Sequence, residues 1–288
     1  MNTRGISVSV VGAGIGGLSA ALSLLTAGFD VHVYERAATL GEVGAGIQVS
    51  PNASRVLHRL GLGETLARTG VKPLALRQRR WDDGRTLLYT PWSESIEAAF
   101  GFPYYQMHRA DLLAVLAGAI PAERIHLGHR LIGLTDRGDD VVARFANGTR
   151  VETDVLVGAD GVHSVVRTEQ FGAEQDSWAR ESWTDHGDLA DALTAFDGWH
   201  PQVRRILNAV DETFIWALFG RAPLDRWSVG RTTLLGDACH RMLPFMAQGA
   251  AQAIEDGATL TACLADAGPN PAEALRRYER LRISRTAC

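Results

Sequence analysis

The order of apolar and polar positions predicts a strand–helix–strand unit at the start of the chain. Residues 6–11 form a β-branched run that is typical of a buried parallel strand. Small and apolar residues fill positions 15–27, and Gly28 supplies the stop signal of a helix. Residues 30–34 predict a second strand. Such a crossover is right-handed in nearly all cases.

Turn signals predict antiparallel strands in the middle of the chain. Residues 74–80 and 85–89 flank an Asp83-Gly84 turn and predict a hairpin. Residues 131–135, 141–145 and 150–153 predict a meander with Gly-containing turns. A buried strand is expected at 155–158. Helices are expected at residues 51–60, 108–117 and 162–170.

The pattern is weaker from Gly172 to Trp227 and clear again after it. In the weak part we predict helices at 189–196 and 201–207 and a strand at 213–219. After it we predict a strand at 232–235 and helices at 249–264 and 271–285. Elements of a nucleotide-binding fold are thus interrupted by others, so its domains are expected to be discontinuous.

Composition narrows the class of protein. The 288 residues are 46% hydrophobic and carry a net charge of −4, so the chain can bury a large core and nothing indicates a nucleic-acid partner. Three widely spaced cysteines argue against a disulfide framework and against a zinc site, so no metal is expected. Without an apolar leader or a stretch that could span a bilayer, we expect a cytoplasmic protein with no membrane partner.

Three glycines follow the first predicted strand and open the first predicted helix. Gly12 permits a tight turn, Gly14 lets the backbone approach a pyrophosphate, and Gly17 lets the helix lie close to the sheet. Glu35 follows the second strand, where its carboxylate can accept hydrogen bonds from an adenosine ribose and disfavours NADP. This spacing predicts a dinucleotide site; the alternative is a glycine-rich turn without a ligand.

Other segments carry candidate binding residues, each with a simpler alternative. The glycine-rich residues 41–48, which end at Gln48, can lie against a planar ring. Arg109 opens a helix and could reach a phosphate, or it is a surface residue. Asp160 and Asp237 each follow a buried strand and could hold sugar hydroxyls, or they are helix caps.

Together these segments resemble the three FAD fingerprints of the single-component flavoprotein aromatic hydroxylases. The fingerprints are the glycine triplet with Glu35, the run Gly158-Ala159-Asp160-Gly161, and Gly236-Asp237. Residues 41–48 and 236–250 are similar to the branch that contains salicylate hydroxylase and 3-hydroxybenzoate 6-hydroxylase. The resemblance covers nearly the whole chain and is not specific for a substrate.

The resemblance implies an α/β fold with two parts. A Rossmann-type, glutathione-reductase-like FAD-binding domain is expected in residues 1–74, 104–172 and 228–288. A smaller, shortened, β-rich substrate domain is expected in residues 75–103 and 173–227. FAD would be held by Gly12, Gly14, Gly17, Glu35, Arg36, Gln48, Arg109, Asp160 and Asp237.

The resemblance also implies the chemistry. Backbone N–H groups of Gly249, Ala250 and Ala251 would face the N1/O2 edge of the flavin, where the reduced ring carries negative charge. The expected reaction is hydroxylation of a phenolic aromatic acid or a hydroxypyridine with O2 and transient NADH or NADPH, through a C4a-hydroperoxyflavin. The expected partners are the small aromatic substrate and O2, with a possible homodimer.

Three residues are candidates for catalysis. His240 lies beside the third fingerprint and could act as a base, or it supports the loop from behind. Pro244 would sit near the substrate, where the family uses a backbone carbonyl. Gln48 could donate a hydrogen bond to the substrate or the flavin, or it supports its loop.

The chain departs from the family pattern in one important way. The interval from Asp160 to Asp237 is short, where the family places strands that cover the flavin. A dry pocket is needed for oxygen transfer without release of hydrogen peroxide. Two alternatives therefore stay open: an FAD oxidase or dehydrogenase acting on another small molecule, and an internally deleted FAD-binding protein with little hydroxylation.

Overall fold

The computed structural model describes residues 5–41, 46–172, 185–214, 224–243, 246–267 and 270–287. The strands are β1 Ser7–Val11, β2 Asp30–Tyr34, β3 Gly46–Val49, β4 Ala75–Arg79, β5 Thr86–Pro91, β6 Tyr105–His108, β7 Ile125–His126, β8 Leu131–Asp136, β9 Val141–Phe145, β10 Arg150–Thr153, β11 Val155–Gly158, β12 His186–Gly187, β13 Thr213–Phe214, β14 Ser228–Val229 and β15 Thr232–Leu234. The α-helices are α1 Ile15–Thr26, α2 Pro51–Arg59, α3 Gly63–Thr69, α4 Ser93–Phe100, α5 Arg109–Gly118, α6 Val165–Phe171, α7 Leu189–Ala195, α8 Pro201–Leu207, α9 Gly249–Ala265 and α10 Pro271–Thr286.

A six-stranded sheet forms the centre of the molecule, in the order β14-β15-β11-β1-β2-β7. Its pairs are parallel except β14 with β15. Side chains from both faces of the inner strands are buried, Val8 and Val31 on one face and Leu156 on the other, because helices or the β-meander cover the sheet. The predicted α/β class and its βαβ unit are therefore confirmed.

Helices α1 and α9 cross closely because small residues line their contact. A side chain at Gly257 would place its Cβ 2.8 Å from the Cα of Ala20, and one at Gly16 would place it 3.0 Å from the Cβ of Ala253. Only glycine allows this approach. The crossing brings the N-terminal half of α9 beside the loop that follows β1.

Four small antiparallel sheets accompany the central one in the described part of the chain, one of them the pair β3–β6. Strands β8, β9 and β10 form the predicted meander, and β4 pairs with β5 around the predicted Asp83-Gly84 turn. Strand β12 pairs with β13. Helices α7 and α8 lie near the β4–β5 turn, where the N–H of His200 donates to the carbonyl of Trp81 at 2.8 Å.

Several elements differ from the sequence prediction. The helix expected at 162–170 begins only at Val165, because the Ser164 hydroxyl caps it by accepting from the N–H of Arg167 at 2.9 Å. Strands β3, β6 and β7 and helices α3 and α4 were not predicted. Of the strand expected at 213–219, residues 215–219 lie outside the described part. No helix in the described part is long and apolar enough to cross a membrane.

Candidate functional site

The carboxyl ends of four neighbouring strands meet at one edge of the central sheet. Strands β1, β2, β11 and β15 are parallel, and their last residues are paired across the sheet. Residues with candidate functions follow each of these ends, namely Gly12, Glu35, Asp160 and Asp237. Ligands of open α/β sheets bind at such an edge. The fold thus brings together residues that are far apart in sequence.

The glycine loop between β1 and α1 is shaped by contacts that exclude side chains. Gly12 has φ 105°, and a Cβ there would overlap the carbonyl of Ala159. A Cβ at Gly17 would overlap the carbonyl of Gly12. By contrast, a Cβ at Gly14 would meet no atom within 4 Å. The open side of Gly14 therefore leaves room for a pyrophosphate at the N-terminus of α1.

Glu35 lies against this glycine loop. One carboxylate oxygen accepts the N–H of Ala13 at 2.8 Å, and the other accepts the N–H of Ala37 at 2.8 Å. A carboxylate oxygen has two lone pairs, so ribose hydroxyls can still donate to this group. Arg36, the next residue, is exposed. The contacts of Arg36 and Glu35 with FAD stay predictions.

Asp160 caps helix α6. Its Oδ1 accepts from the Ser164 hydroxyl at 2.6 Å, and its Oδ2 accepts from the N–H groups of Val165 and Val166 at 2.7 and 3.2 Å. Burial raises the pKa of this carboxyl above its usual range, and these hydrogen bonds oppose the rise. The structure favours the alternative weighed above, in which Asp160 braces the loop against Gly12 as a helix cap.

Asp237 and the start of α9 lie side by side. Asp237 is exposed, whereas both of its neighbours in the 3-10 helix Gly236–Ala238 are buried. A Cβ at Gly249 would lie 3.9 Å from Asp237 Oδ1, so the carboxylate is next to the first turn of α9. The first N–H groups of a helix have no intrahelical acceptor. Gly249, Ala250 and Ala251 supply these N–H groups here.

Gln48 lies on β3, which pairs with β6 and so faces the segment that leads into Arg109. The hydroxyl of Tyr104 donates to Gln48 Oε1, and the Tyr104 ring lies 4.7 Å from the ring of Trp92. Burial raises the pKa of Tyr104, which keeps this phenol a hydrogen-bond donor. Arg109 is half-buried at the first residue of α5.

His240 is only 5% exposed and points into the protein interior. Its Nε2 lies 2.5 Å from Asp256 Oδ2, and its Nδ1 has no hydrogen-bond partner in the described part of the chain. Burial alone would lower the pKa of the imidazole, but the Asp256 carboxylate raises it. This placement favours the supporting role for His240 over that of a base exposed to substrate. Pro244 lies outside the described residues.

The sequence reasoning missed a buried polar cluster behind the site. Its members are Gln252, Glu255, Asp256 and Arg282. The available signal was a Glu-Asp pair on the apolar stretch of helix α9, since charged residues are rarely buried without partners.

The residues present fit FAD. The glycine loop leaves space where a pyrophosphate would lie, and Glu35 follows the neighbouring strand, as the ribose of such a nucleotide requires. The exposed Asp237 carboxylate beside the first turn of α9 suits a hydroxylated chain next to an anionic ring edge. The fold and the site together define a dinucleotide-binding protein.

Known proteins are similar to this chain over almost its whole length. Residues 5–185 match the FAD binding domain family, FAD_binding_3, and residues 170–287 match it again. The 3-amino-4-hydroxybenzoate 2-monooxygenase of Streptomyces cremeus is 38% identical over 341 positions, covering 100% of this chain and 86% of the relative. The 6-hydroxynicotinate 3-monooxygenase of Pseudomonas fluorescens is 36% identical, covering 97% of this chain and 88% of the relative. HpxO of Klebsiella pneumoniae, complexed with FAD and uric acid, is 25% identical with a TM-score of 0.84, covering 99% of this chain and 86% of that chain.

The chain belongs to the FAD binding domain family, and it is an FAD-dependent aromatic monooxygenase of that family. The predicted resemblance and the predicted cofactor are therefore confirmed. The alignment with the Streptomyces relative has over fifty positions more than this chain has residues. The two family matches meet in residues 170–185, within the interval that the sequence marked as short.

Proposed function

We propose that this protein hydroxylates a small aromatic acid that carries a ring hydroxyl, or a hydroxypyridine acid, with NADH or NADPH and O2. The observation that carries the proposal is the meeting of the glycine loop, Glu35 and Asp237 at one sheet edge, in a chain 36–38% identical to two monooxygenases. Those relatives are named for 3-amino-4-hydroxybenzoate and 6-hydroxynicotinate. Both names denote a ring with a hydroxyl and a carboxylate.

The cofactor supplies hydride acceptance and oxygen activation when it is bound. The chain supplies the binding and the electrostatics. The glycine loop and the N-terminus of α1 would hold the pyrophosphate, and Glu35 would hold the ribose. The first N–H groups of α9 would stabilise negative charge on the nearby ring edge.

The side chains of Gln48, Tyr104 and Trp92 are proposed to bind the aromatic substrate. The Tyr104 hydroxyl orients the Gln48 amide by donating to its oxygen, so the amide nitrogen can donate to a phenolate or carboxylate oxygen. Trp92 packs against Tyr104 and adds an aromatic surface. The backbone of Pro244 stays a predicted neighbour of the substrate.

We further propose the domain division given above, with residues 75–103 and 173–227 as a reduced substrate domain.

A specific observation favours a second outcome of the reaction, the release of hydrogen peroxide. The alignment gap and the two-stranded sheets β4–β5 and β12–β13 leave less protein to exclude water from the ring. Part of the oxygen is then expected to leave as hydrogen peroxide, with NAD(P)H and a proton as the source of its hydrogen. A homodimer and a cytoplasmic location stay predictions.

The experiment measures NADH and NADPH oxidation by the FAD-loaded protein with 3-amino-4-hydroxybenzoate, 6-hydroxynicotinate, salicylate and, as a control without a ring hydroxyl, benzoate. We expect faster oxidation with at least one hydroxylated acid and isotope-labelled oxygen in its product. Catalase measures the share of oxygen that becomes peroxide. Substrate oxidation without incorporated label would instead support an oxidase or dehydrogenase, and no stimulation by any of these acids would overturn the proposed substrate class.

Substitution of Gln48 tests the proposed substrate contacts. Gln48→Leu should raise the KM for the stimulating acid by roughly tenfold, because one hydrogen bond to a charged group is lost. Gln78→Leu, on the exposed strand β4, is the matched control and should leave KM unchanged. An unchanged KM in Gln48→Leu would remove Gln48 from the proposed site.

A further inference from the structure

We propose that Asp256 and Arg282 are positioning residues for FAD, which act by fixing the flavin loop, defined here as Gly236–His240. The inference rests on the proposed contact between Asp237 and the cofactor. Neither Asp256 nor Arg282 reaches the sheet edge itself. They act through the loop that carries Asp237.

Asp256 holds both ends of the flavin loop. Its Oδ2 accepts from the N–H of Gly236 at 3.1 Å and lies 2.5 Å from Nε2 of His240. These two are the first and last residues of the loop, and Asp256 is fully buried. One carboxylate therefore fixes the span within which Asp237 is presented to solvent.

The backbone of the loop needs such a restraint. Gly236 has φ 65°, and a Cβ there would lie 3.1 Å from the Cβ of Ala253 on α9. The carbonyl of Gly236 accepts from the N–H groups of Cys239 and His240, each at 2.9 Å. The turn is thus tight, and its entry residue packs directly against the helix that carries Asp256.

Arg282 pairs with the Asp256 carboxylate in the interior. Its Nε lies 2.5 Å from Asp256 Oδ1, and the side chain of Arg282 is only 4% exposed. The guanidinium also donates to Glu255 Oε2 at 2.8 Å and to Gln252 Oε1 at 2.6 Å. A buried carboxylate needs a cation or hydrogen-bond donors beside it to compensate its lost hydration. Because Arg282 compensates this charge, Asp256 can accept from both ends of the loop.

The same guanidinium reaches the opposite side of the site. Gln252, which it contacts, donates its backbone N–H to the carbonyl of Gln248 at 2.8 Å. The Asn52 amide in turn donates to Gln248, the residue before the first turn of α9, at 3.3 Å. Arg282 therefore links the flavin loop, the start of α9 and the turn between β3 and α2. All three of these segments carry or adjoin the residues proposed to contact FAD.

The first test compares substitutions at Arg282 with a matched control on the same helix. Arg277 is exposed and pairs with Asp266 at the surface, so Arg277→Gln is the control. The FAD dissociation constant of deflavinated protein is measured by quenching of flavin fluorescence, together with the visible spectrum of the bound flavin and the Tm of the apoprotein. We expect Arg282→Gln to weaken FAD binding about tenfold or more and to alter the flavin spectrum. Arg282→Lys should recover part of the affinity. Arg277→Gln should change neither the affinity nor the spectrum.

The second test separates positioning from general packing and uses a milder change. His240→Asn keeps a polar side chain, but its amide ends where the imidazole Nδ1 lies and falls short of Asp256, so the variant removes the contact made by Nε2 while leaving Asp256 and Arg282 in place. It is measured alone and in the Asp237→Asn background as a double-mutant cycle. If the loop acts through Asp237, His240→Asn weakens FAD binding in the parent protein but has little further effect once Asp237 is replaced.

Three results would overturn the inference. The first is an unchanged FAD dissociation constant in folded His240→Asn. The second is that His240→Asn lowers the affinity for FAD equally in the parent protein and in the Asp237→Asn background. The third is that Arg282→Lys and Arg277→Gln lose the same amount of FAD affinity. Failure of FAD to bind the parent protein would instead refute the binding site itself. An unfolded Arg282→Gln variant leaves the His240 cycle as the deciding measurement.

Discussion

At the scale of single residues, acidic groups beside the glycine loop differ in what they do. Glu35 accepts from two backbone N–H groups of different segments, whereas Asp160 accepts from one hydroxyl and two N–H groups at the start of one helix. Both residues follow a buried strand and look alike in sequence. Only the tertiary structure distinguishes a carboxylate that joins two loops from a helix cap, because the distinction depends on which N–H groups donate to the carboxylate oxygens.

Replacing Glu35 by Gln should weaken FAD binding by about tenfold or more. A carboxamide has one acceptor oxygen and an NH2 group, so it cannot accept from both Ala13 and Ala37 as the carboxylate does. Flavin fluorescence quenching on titration of deflavinated protein measures the effect. Glu123→Gln, an exposed change far from the sheet edge, is the control. Equal affinity in the two variants would contradict the assigned role of Glu35.

At the scale of elements, the long periodic segments were predicted, whereas some of the short ones were not. Helices α1, α9 and α10 and the meander β8–β10 carry enough residues for a 3.6-residue or two-residue period to be read. Strands β3, β6 and β7 have two to four residues and are defined by tertiary pairing, as in Gln48 opposite Gln106. Gln48 was predicted from its glycine-rich segment, but the pairing that places it beside Tyr104 could not be derived. The cluster around Arg282 could not be derived either, because it depends on how α9 and α10 pack.

The contact between α9 and α10 should make stability depend on acid pH. Its ion pairs from Arg285 and Arg282 lower the pKa of Glu255 to about 2, although burial alone would raise it. A carboxyl with a lowered folded-state pKa contributes stability above its unfolded pKa near 4.5, and this contribution disappears as pH falls towards 2. We expect Glu255→Gln to lose up to about 3 kcal/mol of unfolding free energy at neutral pH.

Urea unfolding at a series of pH values from neutral down to acid measures this effect. The difference between the parent protein and Glu255→Gln should shrink as pH falls through the window between the two pKa values. Glu273→Gln, an exposed change in the first turn of α10, should leave the curve unchanged. A difference that stays constant with pH would mean that Glu255 contributes through packing alone.

At the scale of the whole molecule, one edge of the central sheet carries the candidate cofactor site, and the elements away from it are thinly packed. Hairpin β4–β5 exposes consecutive apolar residues, with Leu87 60%, Leu88 45% and Tyr89 56% exposed. Alternate strand residues point to opposite faces, so both faces of the hairpin are uncovered here. The alignment with the Streptomyces relative is longer than this chain, and a missing segment opposite this hairpin would leave such apolar side chains uncovered.

This surface predicts a specific response to substitution. Leu87→Lys should leave Tm nearly unchanged, because a side chain that is already in water contributes little burial to lose. It should also reduce self-association, because a lysine on an open strand opposes edge-to-edge pairing. Differential scanning calorimetry measures Tm, and light scattering over a concentration series measures self-association. The contrasting variant is Leu57→Lys, at a fully buried position, which should lose several degrees of Tm or fail to fold. A large fall in Tm for Leu87→Lys would show that this hairpin is covered in solution.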